Sequence, residues 1–192
     1  MKQDTQKVDQ GYGNLFHRIY SVRLPICAKA ASASMDQLQQ NPDQFSPQIL
    51  AHFEKTKGSK TSLHVGDEFI VHIPGPWNGP VRVTEVGPNR FKLATLEGHL
   101  EAGEITFEMK NMGPNENLFQ IESKAKSRDA FVDLVYDKIP IVRLAQTEMW
   151  KGFCEQFAKA ALEADPNCFE EVPEVQVVTE KYNEESQQWQ TL

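Results

Sequence analysis

The sequence of 192 residues lacks several features on which whole classes of protein depend. It has no apolar run long enough to cross a bilayer, and its polar N-terminus lacks the apolar core of a signal peptide. It has no dense cluster of lysine and arginine, and its net charge of −7 would repel a phosphate backbone. Membrane insertion and nucleic-acid binding are therefore not expected.

Cysteine is also scarce, and the three cysteines are scattered without CxxC spacing at Cys27, Cys154 and Cys168. This pattern argues against a disulfide framework or a zinc site, and it favours small apolar fillers in a reducing cytoplasm. The chain has neither a GxSxG motif nor a cysteine next to a histidine, so the sequence offers no nucleophile for covalent catalysis. No cofactor or metal is expected.

The remaining composition is that of a globular domain. Hydrophobic residues make up 40% of the chain and charged residues 24%, which suits one domain with a real core. We expect a flexible N-terminus over residues 1–14, a folded domain over 15–165 and an acidic extension over 166–192. The extension can be a disordered tail or a hairpin with strands near 175–182 and 187–191; its aromatic residues, Tyr182 and Trp189, favour the hairpin.

The first part of the domain shows one strand followed by two helix signals. Residues 17–26 alternate apolar and polar side chains, as a half-buried strand does. Ser34 can cap a short helix over 35–40 that Asn41-Pro42 ends. Ser46 followed by Pro47 predicts a second short helix, which would end near Gly58.

Residues 66–127 change to a period of two. Alternating segments at 67–73, 81–86, 90–96, 104–110 and 118–126 are separated by Gly, Pro and Asn turns. Such a series predicts an antiparallel meander with one apolar and one solvated face. The last long segment, 140–164, has helical spacing: Trp150, Phe153 and Phe157 form an apolar stripe, which would cover the apolar face of the sheet.

The predicted class is therefore α+β: a curved antiparallel sheet packed on a long C-terminal helix, with two short helices after the first strand. This order of elements resembles the helix-grip fold of the Bet v 1 or START-like superfamily. The resemblance implies an apolar cavity where the sheet and the helix do not meet completely, and such pockets bind small molecules.

A closer resemblance lies in residues 95–109, TLEGHLEAGEITFEM. The DUF1990 family carries a YGTLPGHPExGExxF signature, and the residues that match it are Thr95, Leu96, Gly98, His99, Glu101, Gly103, Glu104 and Phe107. KSRD at 126–129 and PIVRLAQ at 140–146 are similar to two further motifs of that family. The similarity covers roughly 65–162; Leu93-Ala94, Glu97 and Asp129 depart from it. It implies the fold and the place of a site, but no reaction.

The polar cluster in this stretch allows three interpretations. His99 and Glu101, two residues apart on a strand, can point the same way, and Glu104 can join them to hold a divalent metal. His99 can instead shuttle a proton with either glutamate. The structural alternative is a bulged bend at the mouth of the cavity, made by positive φ at Gly98 and Gly103. In it, a buried carboxylate pairs with Arg128 or Arg143.

Our leading hypothesis is a protein that binds a small, largely apolar molecule between the sheet and the last helix. The alternatives are a non-covalent acid/base enzyme that uses His99 with Glu101 or Glu104, and a protein-interaction module that acts through the acidic tail. A homodimer is compatible with each of them. The predicted polar end consists of His99, Glu101, Glu104 and Arg143. The predicted apolar lining consists of Phe69, Val71, Val83, Phe91, Leu93, Phe107, Phe119, Trp150, Phe153 and Phe157.

Overall fold

A single antiparallel sheet organises the chain. The structure is a computed structural model, which describes residues 3–74, 78–130, 132, 140–165, 171–183 and 186–192, with the side chains of 140–143 left out. Within these residues the sheet has nine strands: β1 (Tyr12–Leu24), β2 (His52–Lys57), β3 (Glu68–His72), β4 (Asn78–Gly87), β5 (Arg90–Thr95), β6 (Glu101–Gly113), β7 (Glu116–Ser127), β8 (Gln176–Asn183) and β9 (Gln188–Thr191).

The order of the strands across the sheet is β2-β3-β4-β5-β6-β7-β1-β8-β9. β2 to β7 therefore form a continuous meander, as their alternating sequence predicts. β1 lies between β7 and β8, so that the first strand closes the meander and carries the C-terminal hairpin on its other side.

Besides the strands, the described residues include the helices α1 (Ala28–Gln40) and α2 (Pro140–Glu163) and two short 3₁₀ helices. α1 follows β1, and α2 lies across the apolar face of the sheet. The 3₁₀ helices span Val8–Gln10 and Pro42–Phe45. The α+β class, with a curved sheet on a long C-terminal helix, is confirmed. None of the described helices has the length and apolar character needed to span a membrane.

Two details of the predicted helices are wrong. α1 begins at Ala28, so Ser34 lies inside the helix, where its hydroxyl donates to the Ala30 carbonyl at 2.9 Å. The second helix, predicted from Ser46-Pro47 to near Gly58, is absent: a turn and then β2 occupy that segment, and a 3₁₀ turn precedes it at Pro42–Phe45. The Ser46 hydroxyl donates to the Ala51 carbonyl at 2.8 Å, so it closes a turn where a helix cap was expected.

Both ends of the chain lie against the sheet. The Gln6 amide donates to the Thr95 carbonyl at 2.8 Å, and Thr5 bridges Leu96, which brings the N-terminal segment beside the β5–β6 connection. β8 and β9 form the hairpin that was one of the two alternatives for the acidic extension, and β8 pairs with β1. The boundaries of a flexible N-terminus, a folded domain and an extension stay predictions.

An aromatic cluster fills the space between the sheet and the middle of α2. The ring of Phe107 stacks on Phe91 at 4.6 Å and contacts Trp150 at 5.7 Å and Phe153 at 5.6 Å. Farther along the helix, Phe157 stacks on Phe119 at 3.9 Å. These rings come from alternate positions of the strands and from one stripe of α2, which is why a single side of each element is apolar.

Phe107→Ala tests whether this cluster holds the helix to the sheet. Phe107 is fully buried, so its truncation should lower the free energy of unfolding by about 3–5 kcal/mol. Chemical denaturation followed by circular dichroism measures the loss. Val178→Ala is the control, because Val178 is 41% exposed and should change stability little. Equal effects of the two substitutions would contradict the assigned core.

Candidate functional site

A cavity of about 320 Å³ lies between the sheet and the first turns of α2. The strands contribute apolar side chains from β2 to β7, and the helix contributes Ala145, Gln146, Met149 and Trp150. Around the β5–β6 connection the wall includes the polar residues Thr95, His99 and Glu101, and Gln146 of α2 is hydrogen-bonded to Glu101. The cavity is thus mainly apolar and has one polar end, an arrangement typical of sites for small molecules.

Six of the predicted site residues line this cavity: Val71, Leu93, His99, Glu101, Glu104 and Trp150. Seven others belong to the filled core and not to the described lining: Phe69, Val83, Phe91, Phe107, Phe119, Phe153 and Phe157. The Arg143 side chain lies outside the described residues. A role in ligand binding stays a prediction for every one of them.

The His99 imidazole is folded back on the main chain of Glu101. Its Nδ1 accepts a hydrogen bond from the Glu101 backbone N–H at 2.9 Å. Nδ1 also lies 3.1 Å from the Glu101 carbonyl, which accepts from the side-chain amide of Gln6 at 3.0 Å. Because the shorter of these two contacts is the one from the fixed backbone N–H, which a proton on Nδ1 would face, we assign the proton of the neutral ring to Nε2. His99 can therefore offer one N–H donor.

Burial also favours the uncharged form of the ring. The low dielectric around His99 lowers its pKa below the usual 6.5, and Arg128 lowers it further, while Glu101 acts in the opposite direction. The ring is seated on Gly79 of β4: a Cβ there would lie 2.9 Å from Nε2. A side chain at position 79 would therefore require the imidazole to shift.

Glu101 is the centre of a buried polar network. Its Oε1 accepts from Arg18 Nη1 at 3.2 Å, and the two side chains are only 6% and 13% exposed for the arginine and glutamate respectively. Its Oε2 accepts from Gln146 Nε2 of α2 at 3.0 Å. A buried carboxylate with a cationic partner was expected, but the cation is Arg18 of β1, not Arg128. Arg128 contacts Asp129 at 2.7 Å instead.

Glu104 does not join His99 and Glu101 in one ligand set. Its carboxylate accepts from Lys92 of β5 at 2.9 Å and is 43% exposed. Although Glu104 is one of the lining residues, its carboxylate lies on the solvated face with Lys92, because both residues alternate along their strands with the buried Phe107 and Phe91. In the described part of the chain, no group of three or more His, Cys, Asp or Glu side chains is arranged to hold a metal ion.

The two glycines of the motif have different roles. Gly98 has φ of +98° in the turn between β5 and β6, as predicted. The positive φ expected at Gly103 is wrong, because Gly103 lies within β6 in register with Ala125. A Cβ at position 103 would overlap the Lys124 carbonyl and lie 2.7 Å from the Ala125 Cα. Gly103 is therefore required for close approach of β6 and β7.

Several lining residues were missed by the sequence. Phe53 and Leu50 lie in a segment that the sequence predicts as helix. Gln146 is the last residue of the PIVRLAQ motif, which gives no indication of its contact with Glu101. The alternation of β6 and β7 predicts that Ile105, Ser123 and Ala125 face the interior, but it does not predict the cavity beside them. Whether the space next to a strand is filled depends on the side chains of the opposite element, so strand periodicity alone could not locate the cavity.

Comparison with known proteins places the chain in a family and a fold. The family model described as "Domain of unknown function (DUF1990)" matches residues 22–156. No significant match was found among curated protein sequences.

Among solved structures, norcoclaurine synthase from Thalictrum flavum, in complex with dopamine and hydroxybenzaldehyde, is similar with a TM-score of 0.54 and 15% identity. That match covers 85% of this chain and 96% of the synthase. The major latex-like protein 151 from Panax ginseng matches with a TM-score of 0.55 and 14% identity, over 78% of this chain and 99% of that protein. These likenesses show a Bet v 1-like fold.

The buried pair of Arg18 and Glu101 predicts that the effects of substituting the two residues on the free energy of unfolding are not additive. Glu101→Gln leaves the Arg18 charge buried and unpaired, so it should lower the free energy of unfolding by about 3–5 kcal/mol. Arg18→Met should cost a similar amount, whereas the double variant should cost less than the sum. Urea denaturation of the four proteins measures the coupling. Additive losses would show that the pair contributes nothing.

The pKa of His99 predicts a specific acid sensitivity. Protons bind the unfolded histidine more readily than the buried ring, so the His99 contribution is intact above pH 6.5 and is lost as the pH falls below it. The non-titrating variant His99→Asn should lose less stability between pH 7.5 and pH 5 than the wild type. Denaturant midpoints across that range test this, with the exposed His64→Asn as control. Parallel curves for wild type and His99→Asn would refute it.

Proposed function

Because this chain belongs to the DUF1990 family and has a Bet v 1-like fold, we propose that it binds a small, largely apolar molecule. The observation that carries the proposal is the cavity between the sheet and the N-terminal half of α2. Its volume, about 320 Å³, is at the lower end of the range for small-molecule sites, about 300–1,000 Å³.

The chemistry of the wall supports an apolar occupant. Aliphatic and aromatic side chains dominate the lining, among them Leu93, Ile105, Met149 and Trp150. An apolar molecule that leaves water for this space gains about 25 cal/mol for each Å² of surface it buries. The ordered core next to the cavity is already packed with phenylalanine rings, so the walls are held in place before a ligand arrives.

The related fold lends support of a more general kind. The solved norcoclaurine synthase is described as holding dopamine and hydroxybenzaldehyde, both small aromatic molecules. This belongs to that protein, and at 15% identity it says nothing about which residues bind. It does support the proposal that the cavity of this chain holds a small molecule.

The acid/base alternative is less well supported by the geometry. The His99 Nδ1 is bonded to the Glu101 backbone, while the Glu101 carboxylate is engaged by Arg18 and Gln146. The neutral imidazole then presents a proton on Nε2 and not a lone pair, so it is suited to donate a hydrogen bond and not to abstract a proton. No glutamate is hydrogen-bonded to the ring through its carboxylate in the described residues.

The remaining hypotheses stay predictions. Trp189 is 45% exposed and contacts His17 and Tyr182, a position compatible with a packed hairpin as well as with an interaction surface. A homodimer and a cytoplasmic location likewise rest on the sequence alone.

Trp150 provides an internal reporter for the proposed ligand. It lines the cavity, and it is one of three tryptophans in the chain. In a Trp77→Phe/Trp189→Phe background, an apolar probe such as p-cymene should change the Trp150 fluorescence in a saturable way. Ile105→Phe, which places a larger side chain in the wall, should weaken binding by about tenfold.

Ile49→Phe is the matched control, because Ile49 is 90% exposed and does not line the cavity. It should leave the affinity for p-cymene unchanged. Absence of any saturable signal, or an equal effect of Ile105→Phe and Ile49→Phe, would contradict a ligand site in this cavity.

A further inference from the structure

One side-chain atom at the polar end of the cavity is buried without a hydrogen-bond partner. Among the described residues, the Gln146 Oε1 makes no hydrogen bond, although the atom is shielded from solvent. Buried acceptors of this kind are rare in folded proteins, and leaving one unpaired is costly. Because Gln146 lines the cavity, a bound molecule can supply the missing donor.

The orientation of the Gln146 amide follows from its neighbour. Gln146 Nε2 lies 3.0 Å from Glu101 Oε2, and an ionised carboxylate can only accept hydrogen bonds. The nitrogen must therefore face Glu101, which leaves the oxygen as the free end of the amide. Arg18 contacts the other carboxylate oxygen at 3.2 Å and holds the Glu101 side chain in position.

The second group at this end is the His99 ring. Since Nδ1 accepts from the Glu101 backbone, the proton is on Nε2, for which the described residues provide no acceptor. His99 and Gln146 are both anchored on Glu101, one through its main chain and the other through its carboxylate. The cavity thus presents one donor and one acceptor that share a single support.

We propose that the polar end recognises an uncharged hydroxyl group on the apolar ligand. The hydroxyl oxygen accepts from His99 Nε2–H, and the hydroxyl proton is donated to Gln146 Oε1. A carbonyl group would satisfy only the imidazole and leave the amide oxygen unpaired. This inference rests on the proposed function, since it concerns the same cavity.

Charged ligands are disfavoured by the same network. The Arg18–Glu101 pair is already neutral as a unit, so a ligand carboxylate or ammonium would enter without a free counter-charge among the described lining residues. An isolated charge in such a setting is strongly penalised. The volume of about 320 Å³ corresponds to roughly ten water molecules, which sets the ligand at the size of a monocyclic alcohol.

A matched series of four compounds tests the proposal: p-cymene, 4-isopropylbenzyl alcohol, 4-isopropylbenzylamine and 4-isopropylbenzoate. They share one skeleton and differ only in the group at one end. In the full chain carrying Trp77→Phe/Trp189→Phe at pH 7.5, Trp150 fluorescence should show the alcohol binding about tenfold more tightly than p-cymene. The ammonium and carboxylate compounds should bind at least tenfold more weakly than the alcohol.

Gln146→Met removes the acceptor and keeps the length of the side chain. In this variant the affinity for the alcohol should come to within about twofold of the affinity for p-cymene, because the preference for the hydroxyl group is the ratio of the two affinities measured in the same protein. His99→Asn, which keeps an acceptor for the Glu101 N–H but lacks Nε2–H, should also reduce the preference, and it serves if Gln146→Met does not fold. Circular dichroism melts verify folding in each case.

The outcomes separate this inference from the proposed function. Hydroxyl recognition is wrong, and the apolar site stands, if p-cymene binds but the alcohol binds no more tightly than p-cymene. The same conclusion follows if the alcohol is preferred over p-cymene by the same factor in Gln146→Met and in the wild type. Tighter binding of the carboxylate or the ammonium compound would also overturn it. If none of the four compounds binds, the proposed function fails and this inference fails with it.

Discussion

The contact between α2 and the sheet through Phe107, Phe153 and Trp150 determines how the interior is divided. Toward the C-terminal half of the helix, the buried Phe157 stacks directly on Phe119 of β7 at 3.9 Å. Toward the N-terminal half, Trp150 is the last large ring before the cavity begins. The aromatic cluster acts as a spacer: it fixes the helix at a distance from the sheet at which shorter side chains cannot meet across the interior.

This division explains why aromatic residues predicted as a cavity wall form solid core. Stripes on strands and helices report which face is buried, and Phe91, Phe107, Phe119, Phe153 and Phe157 are buried. They do not report what lies opposite. The meander and the long helix were accessible from the sequence, because each has a sustained period. β2 was not, since Phe53 is its one strongly buried apolar side chain and a Ser-Pro pair precedes it.

The sequence predicted only the local part of the polar end. The motif around His99 and Glu101 identified the right segment of the chain, because it places glycine, histidine and glutamate together between two strands of alternating apolar residues. The partners of that segment come from far away in sequence: Arg18 from the first strand, Gln146 from the last helix and Gly79 from β4. Pairing over such separations is set by the topology of the sheet, and no local pattern encodes it.

The seat of His99 on Gly79 ties two distant positions of the chain to each other. A residue other than glycine at position 79 would occupy the volume that the imidazole fills, only 2.9 Å from its Nε2. A side chain at 79 would therefore have to displace the imidazole from its contacts with the Glu101 main chain, or be accompanied by a smaller residue at 99. The close approach of β4 to the β5–β6 connection thus makes the choice of residue at position 79 depend on the side chain at position 99.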